Sequence, residues 1–105
     1  MMHRVHMEAS DGDYLIMLIP LEQNAELDVS APDPIGLFKG TWDKASIYYG
    51  EIKVRASGVV LEWMGDWPET IPIDLEGQNI HVGAIFTLDS SDGRFRYTVR
   101  SVLAA

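Results

Sequence analysis

Nine glycines and five prolines divide this 105-residue chain into short intervals, and no other feature restricts its fold as much. The intervals are rich in β-branched and aromatic residues. No stretch keeps the i, i+3, i+4, i+7 apolar spacing of an amphipathic helix for long. The length fits one domain with a small hydrophobic core. The sequence therefore predicts a single all-β domain over residues 1–105.

The first predicted hairpin turns at Asp11-Gly12, a dipeptide that favours a two-residue turn. Directly opposed residues of antiparallel strands share a face of the sheet, so the position of the turn fixes the register. This register pairs Ala9 with Tyr14, Met7 with Ile16, and Val5 with Leu18. It predicts that this apolar face belongs to the core.

The other face of the second strand then becomes a candidate interface. It carries the apolar side chains of Leu15, Met17 and Ile19 beside the polar side chains of the first strand. Such a row needs a cover, which is either the chain's own loop between Glu22 and Leu37 or another subunit. Both alternatives stay open at the level of sequence.

Two further hairpins follow from the same rule. A turn at Ser57-Gly58 pairs Ala56 with Val59, Val54 with Leu61, Ile52 with Trp63, and Lys53 with Glu62. A loop over Ser90–Gly93 pairs Leu88 with Phe95, Phe86 with Tyr97, Ala84 with Val99, and Ile80 with Leu103. Each register keeps apolar residues on one face.

The third hairpin carries three of the chain's five arginines on its predicted outer face. Arg94 lies opposite Asp89, and Arg96 reaches the same carboxylate diagonally. Arg100 lies opposite Gly83 and has no local partner in this register. Arg100 is therefore a candidate contact residue, whereas the other two arginines are expected to belong to an ordinary solvated face.

The short segments Ile35–Gly40 and Ile71–Leu75 can add two strands to the six that form the three hairpins. Six to eight short antiparallel strands around one core favour a small sandwich or a partly closed barrel.

Charge and composition exclude several classes of function. The chain has 16 acidic and 8 basic residues, a formal charge of −8, which argues against general binding to nucleic acid or to anionic membranes. It has no cysteine, and its start has no apolar run of signal-peptide length. We expect a soluble, unprocessed, cytoplasmic protein.

No motif in the sequence indicates catalysis or a cofactor. His3 and His6 project to opposite faces of a strand, so they cannot bind one metal ion together. The acidic turns lack the spacing of a calcium-binding loop, and no nucleophile elbow or phosphate-binding loop occurs. We expect a protein that is not an enzyme and that has no metal site or cofactor.

Two sets of side chains are candidates for partner binding. Trp42 and Trp67 exceed what a small core needs, and tryptophan is typical of interface centres and sugar-binding platforms. They equally fit the open ends of a small barrel. An acidic set could bind a basic partner; it consists of Glu22, Glu26, Asp28, Asp33, Asp66 and Glu69.

The segments GLFKGTWD (36–43), NIHVGAIF (79–86) and GRFRYTVRSVLAA (93–105) resemble small all-β phage virion proteins of the head-closure, connector or decoration kind. The resemblance implies a ring- or lattice-forming barrel without catalytic residues. The leading hypothesis is a structural assembly subunit that associates with itself or with other proteins. An acidic inhibitory protein, such as an antidote to a basic toxin, is the alternative, and a carbohydrate-binding module is a further one.

Overall fold

A computed structural model describes residues 1–65 and 68–105 of the chain. This part contains eight β-strands, and every pair of neighbouring strands is antiparallel. The strands are β1 Met2–Ala9, β2 Tyr14–Pro20, β3 Gly36–Trp42, β4 Ser46–Arg55, β5 Gly58–Met64, β6 Glu69–Pro72, β7 Ile85–Ser90 and β8 Gly93–Ala104. The all-β prediction is confirmed.

The strands form one sheet in the order β6-β5-β4-β3-β2-β1-β8-β7, and its two edges approach each other. Ile73, just after β6, forms an isolated antiparallel bridge with Leu88 of β7. Beside it, the backbone N–H of Thr87 donates to the Asp74 carboxylate at 2.7 Å. The sheet is therefore a nearly closed barrel, in agreement with the predicted architecture.

Alternate residues of the strands fill the inside of the barrel. Val5, Met17, Phe86 and Val99 are all 0% exposed. At one end, which we call the loop end, the connections of residues 21–35 and 73–84 supply further buried side chains, and the Ile80 N–H donates to the Ala25 carbonyl at 2.8 Å. The opposite end carries Trp42 and Trp63, and we call it the aromatic end.

The predicted register of the first hairpin is wrong by one residue. Met7 pairs with Leu15, and Val5 pairs with Met17. The Ala9 N–H bonds to the Asp13 carbonyl across a three-residue loop in which Gly12 has φ +96°. Because side chains alternate along a strand, this single extra loop residue exchanges the two faces of β2.

The predicted faces of the second hairpin are right, but its pairs are shifted by two residues. Ile52 lies opposite Leu61, and Val54 lies opposite Val59. The turn is Ala56-Ser57, and Gly58 supplies φ +119° at the start of β5. A shift of two residues preserves the face of every side chain.

The third hairpin has the predicted register where its strands pair, including Phe86 opposite Tyr97. The predicted pair of Ile80 and Leu103 does not form, because β7 begins only at Ile85. The pairing of β8 with β1 also shifts between Ser101 and Val99, so that Arg100 is an extra residue. This bulge turns Leu103 outward, where it is 55% exposed.

Candidate functional site

The row of Leu15, Met17 and Ile19 is the core face of β2 and not an uncovered surface. These side chains are 2%, 0% and 0% exposed inside the barrel. The expectation that this row forms an interface is wrong, and the one-residue change of register is the reason. The loop of residues 22–34 closes the loop end of the barrel, where Leu27 is 4% exposed.

The outward face of β2 is also apolar, and it carries Ile16 and Leu18. Leu18 lies opposite Leu37 of β3, and the row ends at Pro20, which lies opposite Met2 of β1. Leu37 is 53% exposed and Met2 is 40% exposed. We call these five residues the outer strip.

The outer strip ends in a groove of about 410 Å³ at the loop end. Met2, Pro20 and Leu37 line it, together with Pro32 and Pro34. Proline and aliphatic side chains have no polar groups to direct toward water. The groove is thus an apolar depression continuous with the strip.

Charged side chains flank the outer strip. Arg4 lies opposite Leu18, and Lys39 lies opposite Ile16. Both are exposed, and within residues 1–65 and 68–105 neither forms an ion pair. The exposed Glu22 follows shortly after the end of β2. The strip therefore has cations along its length and an acidic loop at its end.

A second exposed apolar group lies on the same outer surface toward the aromatic end. Tyr49 of β4 lies opposite Met64 of β5, and the two are 61% and 53% exposed. Ile47, two residues before Tyr49, is 59% exposed. The outer surface of β1 to β5 thus carries five of the ten large hydrophobic side chains that are exposed in the described residues.

Trp42 packs into an aromatic cluster at the aromatic end of the barrel. Its ring stands edge to face with Phe95 at 5.0 Å and with Trp63 at 6.1 Å between centroids. Tyr48 lies against Trp63 at 4.2 Å with an interplanar angle of 33°. Trp42 is partly buried and covers this end of the barrel, which was one of the two predictions for it.

Gly50 has no side chain, and the side chains of Trp63 and Phe38 occupy the space beside it. It lies directly opposite both residues in the sheet. A methyl group at Gly50 would overlap the backbone carbonyl of Glu62 and stand 2.9 Å from the Phe38 ring. The Trp63 indole N–H is buried, and among the described residues it has no hydrogen-bond acceptor.

A cleft of about 210 Å³ opens beside this cluster. Trp42, Tyr48 and Trp63 form its aromatic walls, and the acidic residues Glu69 and Asp92 also line it. The Glu69 carboxylate accepts a hydrogen bond from the Ser91 N–H at 3.0 Å, which holds the start of β6 beside the loop between β7 and β8. The cleft therefore combines ring surfaces with carboxylates.

Two predicted site residues, Asp66 and Trp67, lie outside the described residues. The other acidic candidates are not brought to one surface. Glu69 lies at the aromatic end of the barrel, whereas the remaining ones lie in the connection at the loop end; these are Glu22, Glu26, Asp28 and Asp33.

Local contacts engage part of this acidic set. Asp28 accepts hydrogen bonds from the backbone and the hydroxyl of Ser30 at 3.1 and 2.6 Å, and these bonds lower the pKa of its carboxyl group. Asp33 pairs with Arg55 at 3.2 Å. Glu22 is exposed, whereas Glu26 is partly buried and its backbone forms a bridge with Asn79.

Arg55 also belongs to an ion-pair network on the outside of β4 and β5. Glu62 lies 2.9 Å from the Lys53 ammonium group and 3.0 Å from the Arg55 guanidinium group. The hydrogen bond from Lys53 is the main cause of a lowered pKa of Glu62, and the same bond raises the pKa of Lys53. The predicted contact of Lys53 with Glu62 thus forms, although the two residues are diagonal rather than opposed.

The arginines of the third hairpin follow the prediction in part. Arg94 lies 3.6 Å from Asp89, as expected. Arg100 was expected to lack a local partner, but its Nε lies 3.6 Å from Glu8 of β1. The bulge places the Arg100 side chain next to that strand, which the hairpin register alone could not show.

Sequence reasoning missed the buried carboxylate of Asp13. Asp13 is 5% exposed and accepts hydrogen bonds from the Thr41 hydroxyl at 3.0 Å and the Lys44 N–H at 2.7 Å. It thereby fixes the turn that follows Trp42. Burial, with a smaller contribution from the nearby Asp13 charge, raises the pKa of Tyr97 to about 12.

Within residues 1–65 and 68–105, no three His, Asp or Glu side chains are grouped so as to hold a metal ion. In that part of the chain there is also no helix with the length and hydropathy needed to cross a membrane.

Comparison with known proteins identifies no relative. No family model, no curated protein and no solved structure matches the chain.

Proposed function

We propose that the protein is a non-enzymatic assembly subunit that binds a second copy of itself through the outer strip. The observation that carries this proposal is the apolar outer row of β2, which continues into Leu37 and the groove at the loop end. A strand in the middle of a sheet that faces water normally carries polar residues on that face. An apolar row there is typical of an interface.

The charges around the strip favour a second copy as the partner. Arg4 and Lys39 flank Leu18 and Ile16, whereas the acidic loop begins beyond Pro20. Two strips that pack in opposite directions bring the cations of each copy toward the acidic loop of the other. This arrangement is self-complementary, as the interface of a two-fold dimer must be. It also offsets part of the repulsion between two chains of charge −8.

The Tyr49 and Met64 group gives each copy a further apolar surface on neighbouring strands. A subunit with two such surfaces can contact more than one neighbour, which a ring or lattice requires. Membership of a phage-type particle is the finer form of the proposal, and it rests on the pattern of the sequence.

The substitution Leu37→Glu tests the proposal. It places a carboxylate in the centre of the contact without altering the core, since Leu37 is 53% exposed. We expect dimerisation to weaken by at least ~100-fold, because association would then have to remove a carboxylate from water in an apolar contact. Sedimentation velocity over a range of concentrations measures the association.

Ile85→Glu is the matched control. Ile85 is 46% exposed on the outer face of β7, on the far side of β8 from the strip. The control is expected to associate like the unaltered chain. If the unaltered chain stays monomeric at millimolar concentration, or if both variants associate equally well, the outer strip is not the interface.

A second candidate function, binding to a basic protein, is favoured by the formal charge of −8 and the exposed position of Glu22. Electrostatic steering of this kind is screened by salt. Association with a basic partner that is unaffected by about 1 M salt would contradict it.

A further inference from the structure

The cleft at the aromatic end is separate from the outer strip, and its chemistry differs. Its walls are the rings of Trp42, Tyr48 and Trp63, while two of the residues that line it, Glu69 and Asp92, are acidic. None of these residues belongs to the strip or to the groove at the loop end. The cleft therefore requires an explanation of its own.

The ring geometry favours a compact ligand. The Trp42 and Trp63 planes meet at 78°, and Tyr48 is tilted by 33° from Trp63. The rings that line the cleft are therefore not coplanar and do not form one flat platform for a sugar ring. The faces of aromatic rings carry partial negative charge and attract cations placed over them.

The carboxylates add charge of the same sign. The Ser91 N–H holds the Glu69 carboxylate in place at 3.0 Å. Asp92 is exposed, and within the described residues neither Asp92 nor Glu69 pairs with a cationic side chain. A cleft with ring faces and uncompensated carboxylates attracts cations and repels anions.

We infer that this cleft binds an organic cation, either a quaternary ammonium group or the guanidinium group of an arginine side chain. A cavity of about 210 Å³ accommodates a group of this size but not a folded segment of another protein. The bound cation contacts the tryptophan and tyrosine rings through its alkyl or planar surface. Its charge is balanced by Glu69 and Asp92.

The first experiment compares choline with its neutral isostere 3,3-dimethylbutan-1-ol. Two-dimensional NMR of the ¹⁵N-labelled chain follows the tryptophan indole N–H signals, and the variant Trp42→Phe assigns the Trp42 signal. We expect choline to shift the Trp42 and Trp63 signals saturably. The isostere is expected to bind at least ~10-fold more weakly, since it lacks the charge.

The double variant Glu69→Gln/Asp92→Asn tests the carboxylates. Glutamine retains an oxygen that can accept the Ser91 N–H bond, so the aromatic walls are expected to keep their positions. An unchanged melting temperature checks this. Choline binding is expected to weaken at least ~5-fold in the variant, because each lost carboxylate removes attraction for the cation.

An arginine-containing tripeptide with blocked ends distinguishes the two sources of the cation. Tighter binding of the peptide than of choline supports an arginine on a protein partner, and the reverse supports a free small molecule. Equal shifts from choline and the isostere, or no saturable shift from either cation, would overturn the inference. Leu37→Glu is expected to bind choline like the unaltered chain, so failure of the cleft and failure of the outer strip are separable.

Discussion

The exchange of faces on β2 can be tested through stability. Met17 is 0% exposed inside the barrel, so Met17→Ala removes buried contacts and leaves a cavity. Such truncations cost about 2–5 kcal/mol, and we expect about 3 kcal/mol here because the paired strands on both sides limit collapse around the site. Leu18 lies on the outer face, where solvent fills the space left by truncation. Leu18→Ala is therefore expected to cost only about 1 kcal/mol.

The two variants should differ clearly in a melting experiment. For a domain of this size, each kcal/mol lowers the melting temperature by about 4–8 °C, so about 12–24 °C is expected for Met17→Ala and about 4–8 °C for Leu18→Ala. Circular dichroism at low protein concentration follows the transition without a contribution from self-association. If the slopes of the urea titrations are unchanged, the variants differ in stability and not in the surface that unfolding exposes.

A larger loss for Leu18→Ala than for Met17→Ala would refute this reasoning. It would place Leu18 inside the barrel and Met17 outside, which is the register that a two-residue turn at Asp11-Gly12 predicts. The candidate interface would then return to the row that contains Met17.

Three further predictions concern titratable groups. Glu62→Gln should lower the melting temperature near pH 7 but not at strongly acidic pH. The hydrogen bond from Lys53 lowers the pKa of Glu62 in the folded state, so the charged carboxylate stabilises the fold near neutral pH. This contribution to stability is lost as the pH falls through the lowered pKa. Tyr97 has its pKa raised to about 12 by burial, so its neutral form stabilises the fold below about pH 10 and this contribution is lost as the pH rises through about 12. In an alkaline titration followed by circular dichroism, Tyr97→Phe should therefore unfold at higher pH than the unaltered chain. Asp13→Ala removes the acceptor for the Lys44 N–H and should cost about 2 kcal/mol in urea denaturation, with partial recovery in Asp13→Asn.

The sequence predicted the strand content and two of the three hairpin faces because alternation of apolar residues is a local signal. It failed on β2 for a physical reason. This strand is apolar on both faces, so either register buries an apolar row, and only the geometry of the turn decides between them. Gly12 at φ +96° completes a three-residue loop, which the dipeptide Asp11-Gly12 does not distinguish from a two-residue turn.

The bulge at Arg100 and the position of Asp13 could not be predicted, because both depend on contacts between distant parts of the chain. Arg100 becomes an extra residue only because β8 pairs with β1. Asp13 is buried only because residues 41–44 fold over it. The cleft arises in the same way, since Trp42, Trp63 and Asp92 meet at one end only after the barrel closes.

We propose that the outer strip, and not the row inside the barrel, binds a second copy of the chain. Sedimentation velocity of the unaltered protein, Leu37→Glu and Ile85→Glu over the same concentration range tests it most directly. The expected result is reversible association of the unaltered protein and of Ile85→Glu, with association of Leu37→Glu weakened by at least ~100-fold. A Leu37→Glu variant that associates as strongly as the unaltered protein would contradict the claim.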